Sequence, residues 1–156
     1  MWVHDAFAIA PNPHGDFCTA VAVSISRRSG YHHLDIAAGG HPLPVLVSDG
    51  KARYVGTYGS LLGIVDRPRF VEEEAALLPG DWLLLYTDGV TDEPGPAALD
   101  EAGLLELVEQ IVLSETTANG TVEDAAERLE IALLRRYANV RRDDIALLLV
   151  RALPAG

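Results

Sequence analysis

The stretch Trp82–Asp92, WLLLYTDGVTD, decides how this chain is read. Trp82 to Thr87 is an uncharged run of large apolar and β-favouring residues, as expected of a strand buried on both faces. It ends on Asp88, with Gly89 behind it and a second acid, Asp92, close by. Asp-Gly after a strand is a hairpin signal. No strand-like run follows, however: the residues after Asp92 are rich in Pro and Gly and lead into a helical pattern. A turn alone leaves the carboxylate unexplained.

Upstream, Phe17 to Ser26 alternates Phe17, Thr19, Val21, Val23 and Ile25 with small residues, the pattern of a strand. Arg27 to Gly30 turns it towards an antiparallel partner, Tyr31 to Ala38. A second hairpin is expected around Asp49-Gly50, a dipeptide that tolerates positive φ. Between Thr57 and Pro79 the pattern is weak, and one short strand is expected around Phe70 to Ala75. Downstream, Leu104, Leu105, Leu107, Val108, Ile111 and Val112 recur at helical spacing behind Asp100 and Glu101. Thr121 and Asp124 have the form of a capping box for a second helix reaching about Tyr137. Asp143 to Ala152 is a last apolar strand entered through two acids. Strands, then two helices, then a strand imply an α+β fold, an antiparallel sheet covered by helices.

The 156 residues suit one domain, and a composition 49% hydrophobic and 22% charged is that of a folded protein. A net charge of -11 repels phosphate backbones, so nucleic acid is not an expected partner, and no apolar run is long enough for a membrane-spanning helix. The lone Cys18 excludes an internal disulfide and reads as a small buried side chain. The first residues lack the basic and apolar regions of a signal peptide, which suggests a cytoplasmic protein. Pro11 and Pro13 make residues 1–16 an irregular lead-in.

If the strands ending at Asp88 and beginning at Asp143 and Asp144 are antiparallel neighbours, their acids meet at one rim of the sheet. Converging carboxylates either stand solvated or hold a cation between them. Oxygen ligands without His or Cys favour Mg²⁺ or Mn²⁺, and a pair of such ions can activate water against a phosphoryl group. Other chemistries find no support. An aspartyl-phosphate hydrolase would need an acid where Tyr86 stands, and an EF-hand loop opening at Asp88 would need glycine in place of Glu93. His32 and His33 face opposite ways on a strand and His41 precedes a proline, so the histidines are not expected to make a zinc site. No serine sits in a nucleophile elbow.

In chain order, FCTA (17–20), AGGHPLPVLV (38–47), LLGI (61–64), PGDWLLLYTDGVTD (79–92) and RRDDIALLLV (141–150) resemble the metal-dependent PP2C-type protein phosphatases. The bacterial branch of the sporulation phosphatase SpoIIE and the sigma-factor regulatory phosphatases is the nearest in motif. The resemblance runs from Phe17 to Arg151, and GDWLLLYTDGVTD and DDIALLLV are its most specific parts. It implies an antiparallel β-sandwich flanked by helices, two Mn²⁺ or Mg²⁺ ions per complete site, and hydrolysis of phosphoserine or phosphothreonine by metal-activated water, with no catalytic side chain beyond the metal ligands. Asp88 and Asp143 match the family's metal ligands, and Asp92 stands where some relatives help hold a further metal. Gly89 would let the backbone approach closely, and Asp144 would orient the strand end.

The family's Gly-Asp-Val-x-Gly-His-Gly segment, whose Asp bridges both metals, has no counterpart here. The resemblance therefore implies the C-terminal portion of a single phosphatase domain spanning residues 1–156, without its N-terminal strands and helices. Little or no activity of this chain alone is the expectation, with a phosphorylated regulatory protein, such as an anti-sigma-factor antagonist, as the family's substrate. Exposed sheet edges would favour a homodimer. The alternative is a non-catalytic module, on the same scaffold, that binds a partner or itself.

Overall fold

The strand Trp82–Tyr86 lies inside a sheet, paired on both sides and covered on both faces. The structure, a computed structural model, describes residues 17–64, 67–91, 99–118, 120–137 and 144–153. The lead-in 1–16, Asp92 and Asp143 lie outside the described residues.

The described strands are β1 (Ala20–Arg28), β2 (Tyr31–Gly39), β3 (Val45–Ser48), β4 (Lys51–Tyr54), β5 (Tyr58–Gly59), β6 (Glu72–Leu77), β7 (Trp82–Tyr86) and β8 (Leu147–Arg151). Helices α1 (Glu101–Ala118) and α2 (Val122–Arg136) stand between β7 and β8 in the chain. One sheet has the order β4-β3-β7-β8, antiparallel throughout. In the other, β2 pairs with β1 along its whole length, with β6 antiparallel on its far side and with the short β5 in parallel.

The alternation of β7 explains the layering. Trp82, Leu84 and Tyr86 join Val45 and Val47 against Leu104, Val108, Leu129 and Leu133 of the helices. Leu83 points the other way, with Leu46, into a second core made by Leu34, Ile36 and Leu77 of the other sheet. The two sheets thus face each other, and the helices cover only the β4-β3-β7-β8 sheet. An α+β sandwich flanked by helices is what the sequence implied.

Several boundaries differ from expectation. β1 begins at Ala20 rather than Phe17, because Cys18 makes only an isolated bridge to Leu62, and Cys18 is half-buried rather than buried. The weak region holds two strands, β5 and β6, and β6 begins at Glu72 because its partner β2 is in register from there. The last strand starts at Leu147, so Asp144 precedes it instead of opening it. α1 continues past the apolar pattern that ends at Val112, since buried Glu115 is paired with Arg128 of α2 at 2.6 Å.

The turns obey local chemistry. Asp49 and Gly50 both take positive φ, at 51° and 72°, as a two-residue hairpin turn of this hand requires. The Thr121 hydroxyl accepts the Asp124 N–H at 3.1 Å while the Asp124 carboxylate accepts the Thr121 N–H at 2.9 Å, which completes the capping box of α2.

Candidate metal centre

At the end of β7 the chain tightens into a single 3-10 turn, Asp88–Val90, in which Gly89 and Val90 are buried. The Asp88 carboxylate accepts the Gly89 N–H at 3.1 Å, and the Asp88 carbonyl accepts the Thr91 N–H at 2.8 Å. Gly89 does not take positive φ, so no left-handed conformation demands glycine there. Tyr137, fully buried after α2, donates its hydroxyl to the Val90 carbonyl at 2.7 Å and ties the turn to the helix layer.

Thr87 joins the two strands at this rim. Its N–H donates to the Ala146 carbonyl at 3.1 Å, its hydroxyl donates to the Asp144 carbonyl at 2.9 Å, and the same oxygen accepts the Ala146 N–H at 2.9 Å. The antiparallel pairing of β7 with β8, Tyr86 opposite Leu147, thus brings Asp88 and the approach to β8 to one end of the sheet. Asp144 lies there through its backbone, and Asp143 precedes it in the chain.

Asp88 opens into a cleft of about 420 Å³ that it shares with Tyr58, Tyr86, Asp100 and Glu101. Gly40 lines the same cleft at φ 67°, where a Cβ would run into Leu61, so this part of the AGGHPLP segment needs glycine for close packing. Asp100 is partly engaged, since its carboxylate accepts the Gly103 N–H at 2.8 Å at the start of α1. Burial pushes the Tyr86 phenol well above its ordinary range, and the Tyr54 phenol beside it adds to the shift. Tyr54 is raised chiefly by burial as well and donates to the Glu101 carbonyl at 2.9 Å. These phenols are neutral hydrogen-bond donors at physiological pH, and the charge of the cleft is that of its acids. Among the described residues the lining holds three carboxylates and no Lys or Arg, which makes a cation-attracting, oxygen-lined cleft.

A family model, Stage II sporulation protein E (SpoIIE), matches residues 4–153. The chain belongs to the SpoIIE family. Among solved structures, this SpoIIE-family chain is similar to the RsbU and RsbW domains of a Mycobacterium tuberculosis protein, at 27% identity and a TM-score of 0.68, over 92% of this chain and 39% of that one. It also resembles the SiaA-PP2C domain of Pseudomonas aeruginosa, at 22% identity and a TM-score of 0.67, over 86% of this chain and 51% of that one. The phosphatase domain of SpoIIE from Bacillus subtilis, presoaked with Mn, matches at 15% identity and a TM-score of 0.61, over 86% of this chain and 57% of that domain. The last two likenesses speak for the fold alone. In each case the chain spans less than two thirds of the structure it matches. No curated protein matches it.

The family implies metal, and the donor set at this rim fits it: Asp88 lines a cleft whose other described charged groups are the carboxylates of Asp100 and Glu101. Sequence reading singled out Asp88 but passed over Asp100 and Glu101 as helix-start acids. Their place in the same cleft follows from the packing of α1 on the β4-β3-β7-β8 sheet, which no local pattern records.

Proposed function

We propose that residues 1–156 form one unit, the C-terminal part of a metal-dependent protein phosphatase domain that hydrolyses phosphoserine or phosphothreonine on a regulatory protein. Asp88 and Asp143 would hold Mn²⁺ or Mg²⁺, with Asp92 a further candidate, and the ions would supply an activated water and charge neutralisation at the phosphoryl group. The chain's own residues position that chemistry. Thr87 locks the ends of β7 and β8 together, Asp144 orients the approach to β8 through its carbonyl, and the buried turn at Gly89 and Val90 fixes Asp88 against the helix layer. The single observation that supports this reading is the β7–β8 pairing, which brings Asp88 and the backbone of Asp144 to one end of the sheet, with Asp88 lining an acidic cleft.

The family resemblance suggests an anti-sigma-factor antagonist or a similar phosphorylated regulator as the substrate. A cytoplasmic place of action is part of this proposal; no described helix is long and apolar enough to cross a membrane. The sequence carries no bridging Gly-Asp segment, and a two-metal site without its shared carboxylate binds metal weakly. Low Mn²⁺-dependent hydrolysis of a phosphothreonine peptide is therefore expected, and Asp88→Ala abolishes it. Full activity in the Asp88→Ala chain would remove Asp88 from the mechanism.

One observation favours a second reading, self-association. Among the described residues β1 lies at the edge of its sheet, with Ile25 45% exposed and Phe17, just before the strand, 57% exposed. A homodimer through that edge predicts a doubled mass in light scattering, and a monomer at high concentration rejects it.

A further inference from the structure

We propose that His33, Asp35 and Glu74 form a second cation site, for a divalent transition metal of the Zn²⁺ class, on the outer face of the β1-β2-β6 sheet. The inference is independent of the phosphatase reading. His33 and Asp35 are two residues apart on β2 and so share a face, and Asp35 stands directly opposite Glu74 in the β2–β6 ladder. Their ligand atoms all lie within 4.8 Å of one another. His33 Nε2 is 3.0 Å from Asp35 Oδ1 and 4.0 Å from Glu74 Oε2.

Tetrahedral Zn²⁺, with bonds of about 2.0–2.2 Å, separates its ligands by roughly 3.3–3.6 Å. The observed separations bracket that range, so side-chain rotation closes the site without backbone movement. Glu74, with its side chain 75% exposed, has the freedom to make that adjustment. His33 and Asp35 are the better buried pair, at 19% and 31%, and are held on a strand paired on both sides. Beside them runs a shallow groove that includes Tyr31, Ala76 and Leu78, with no Lys or Arg among its described lining residues. Remaining coordination positions are open to water from that side.

The donor chemistry separates this site from the rim at Asp88. An imidazole nitrogen with two carboxylates suits Zn²⁺, Co²⁺ or Ni²⁺, whereas an all-oxygen cleft suits Mg²⁺ or Mn²⁺. His32 takes no part, because it points to the opposite face of β2.

The test is Zn²⁺ uptake by the full chain in equilibrium dialysis, with Asp88→Asn present throughout to weaken the rim. One equivalent of Zn²⁺ per chain is expected. Glu74→Gln and His33→Gln should each weaken it by more than the roughly 10-fold that an outer-shell partner of a metal ligand is worth. Co²⁺ added in place of Zn²⁺ should give a visible absorption band that Glu74→Gln removes. No Zn²⁺ uptake, or uptake that neither substitution changes, overturns the proposal and leaves a histidine paired with two carboxylates. Because Glu74 is exposed, Glu74→Gln keeps the fold and decides the question even where His33→Gln does not fold.

Discussion

The edge strands β4 and β1 each belong to a hairpin closed by a two-residue turn, yet among the described residues one edge is covered and the other is open. On β4 the Ala52 N–H donates to the Glu109 carboxylate of α1 at 2.7 Å, and Lys51 pairs with the same group at 3.3 Å. β1 is more than twice as long, nine residues against four, and among the described residues no helix packs on its sheet. A strand acquires stability from burial on its faces, and its edge becomes inert only when another element satisfies or blocks it. Among the described residues, the β4-β3-β7-β8 sheet has layers on both sides, whereas the β1-β2-β6 sheet has a partner on one side alone.

The largest effect should come from a pair of truncations that compare the two sheets. Leu84→Ala, at a side chain 1% exposed between β7 and the helices, is expected to cost about 2–5 kcal/mol in urea unfolding. Ile25→Ala on β1 should cost under ~1 kcal/mol, since much of that side chain is already in water. Comparable losses at both positions would mean that β1 is covered in solution, and the contrast between the sheets would fail.

Tyr137→Phe removes the hydroxyl that holds the Val90 carbonyl and strands a buried acceptor. A loss of about 1–3 kcal/mol is expected, with faster hydrogen exchange in the Asp88 turn as the signature that the helix layer stiffens the rim. Unchanged exchange there would separate the two. Thr121→Ala breaks the capping box and should lower stability by about 1 kcal/mol, through α2 alone.

The smallest expected effect is acid release of the covered edge. The Ala52 N–H, and then Lys51, hold the Glu109 carboxyl below its ordinary value of 4.5. A group whose folded pKa is depressed contributes stability at neutral pH and loses that contribution as pH falls through the folded value. Between pH 7 and 5 the α1–β4 tether should persist; below the ordinary glutamate range it should weaken, and Glu109→Gln should flatten that part of the acid unfolding curve. An identical acid limb in the variant would show that the carboxylate does not secure β4.

Both hairpins were legible because their signals are local: alternation in β1 and β2, and Asp49-Gly50 between β3 and β4, which takes the positive φ values such a turn needs. The capping box of α2 was legible for the same reason. β5 was not, since two residues of parallel pairing leave no periodic trace. Nor was the convergence of His33, Asp35 and Glu74: His33 and Asp35 carry the spacing of one strand face, but Glu74 comes from β6, in the region where the pattern was weakest.

By itself the sequence determined the α+β class, the strength of β7, and Asp88 as the acid that ends it, because periodicity, turn chemistry and a charge at the end of an apolar run are properties of neighbouring residues. The tertiary structure decided which acids share a cleft with Asp88, which edge is covered, and which face of the sandwich stays open. Those outcomes depend on pairing and packing between segments far apart in the chain, where register and layer order, rather than local preference, fix which side chains meet.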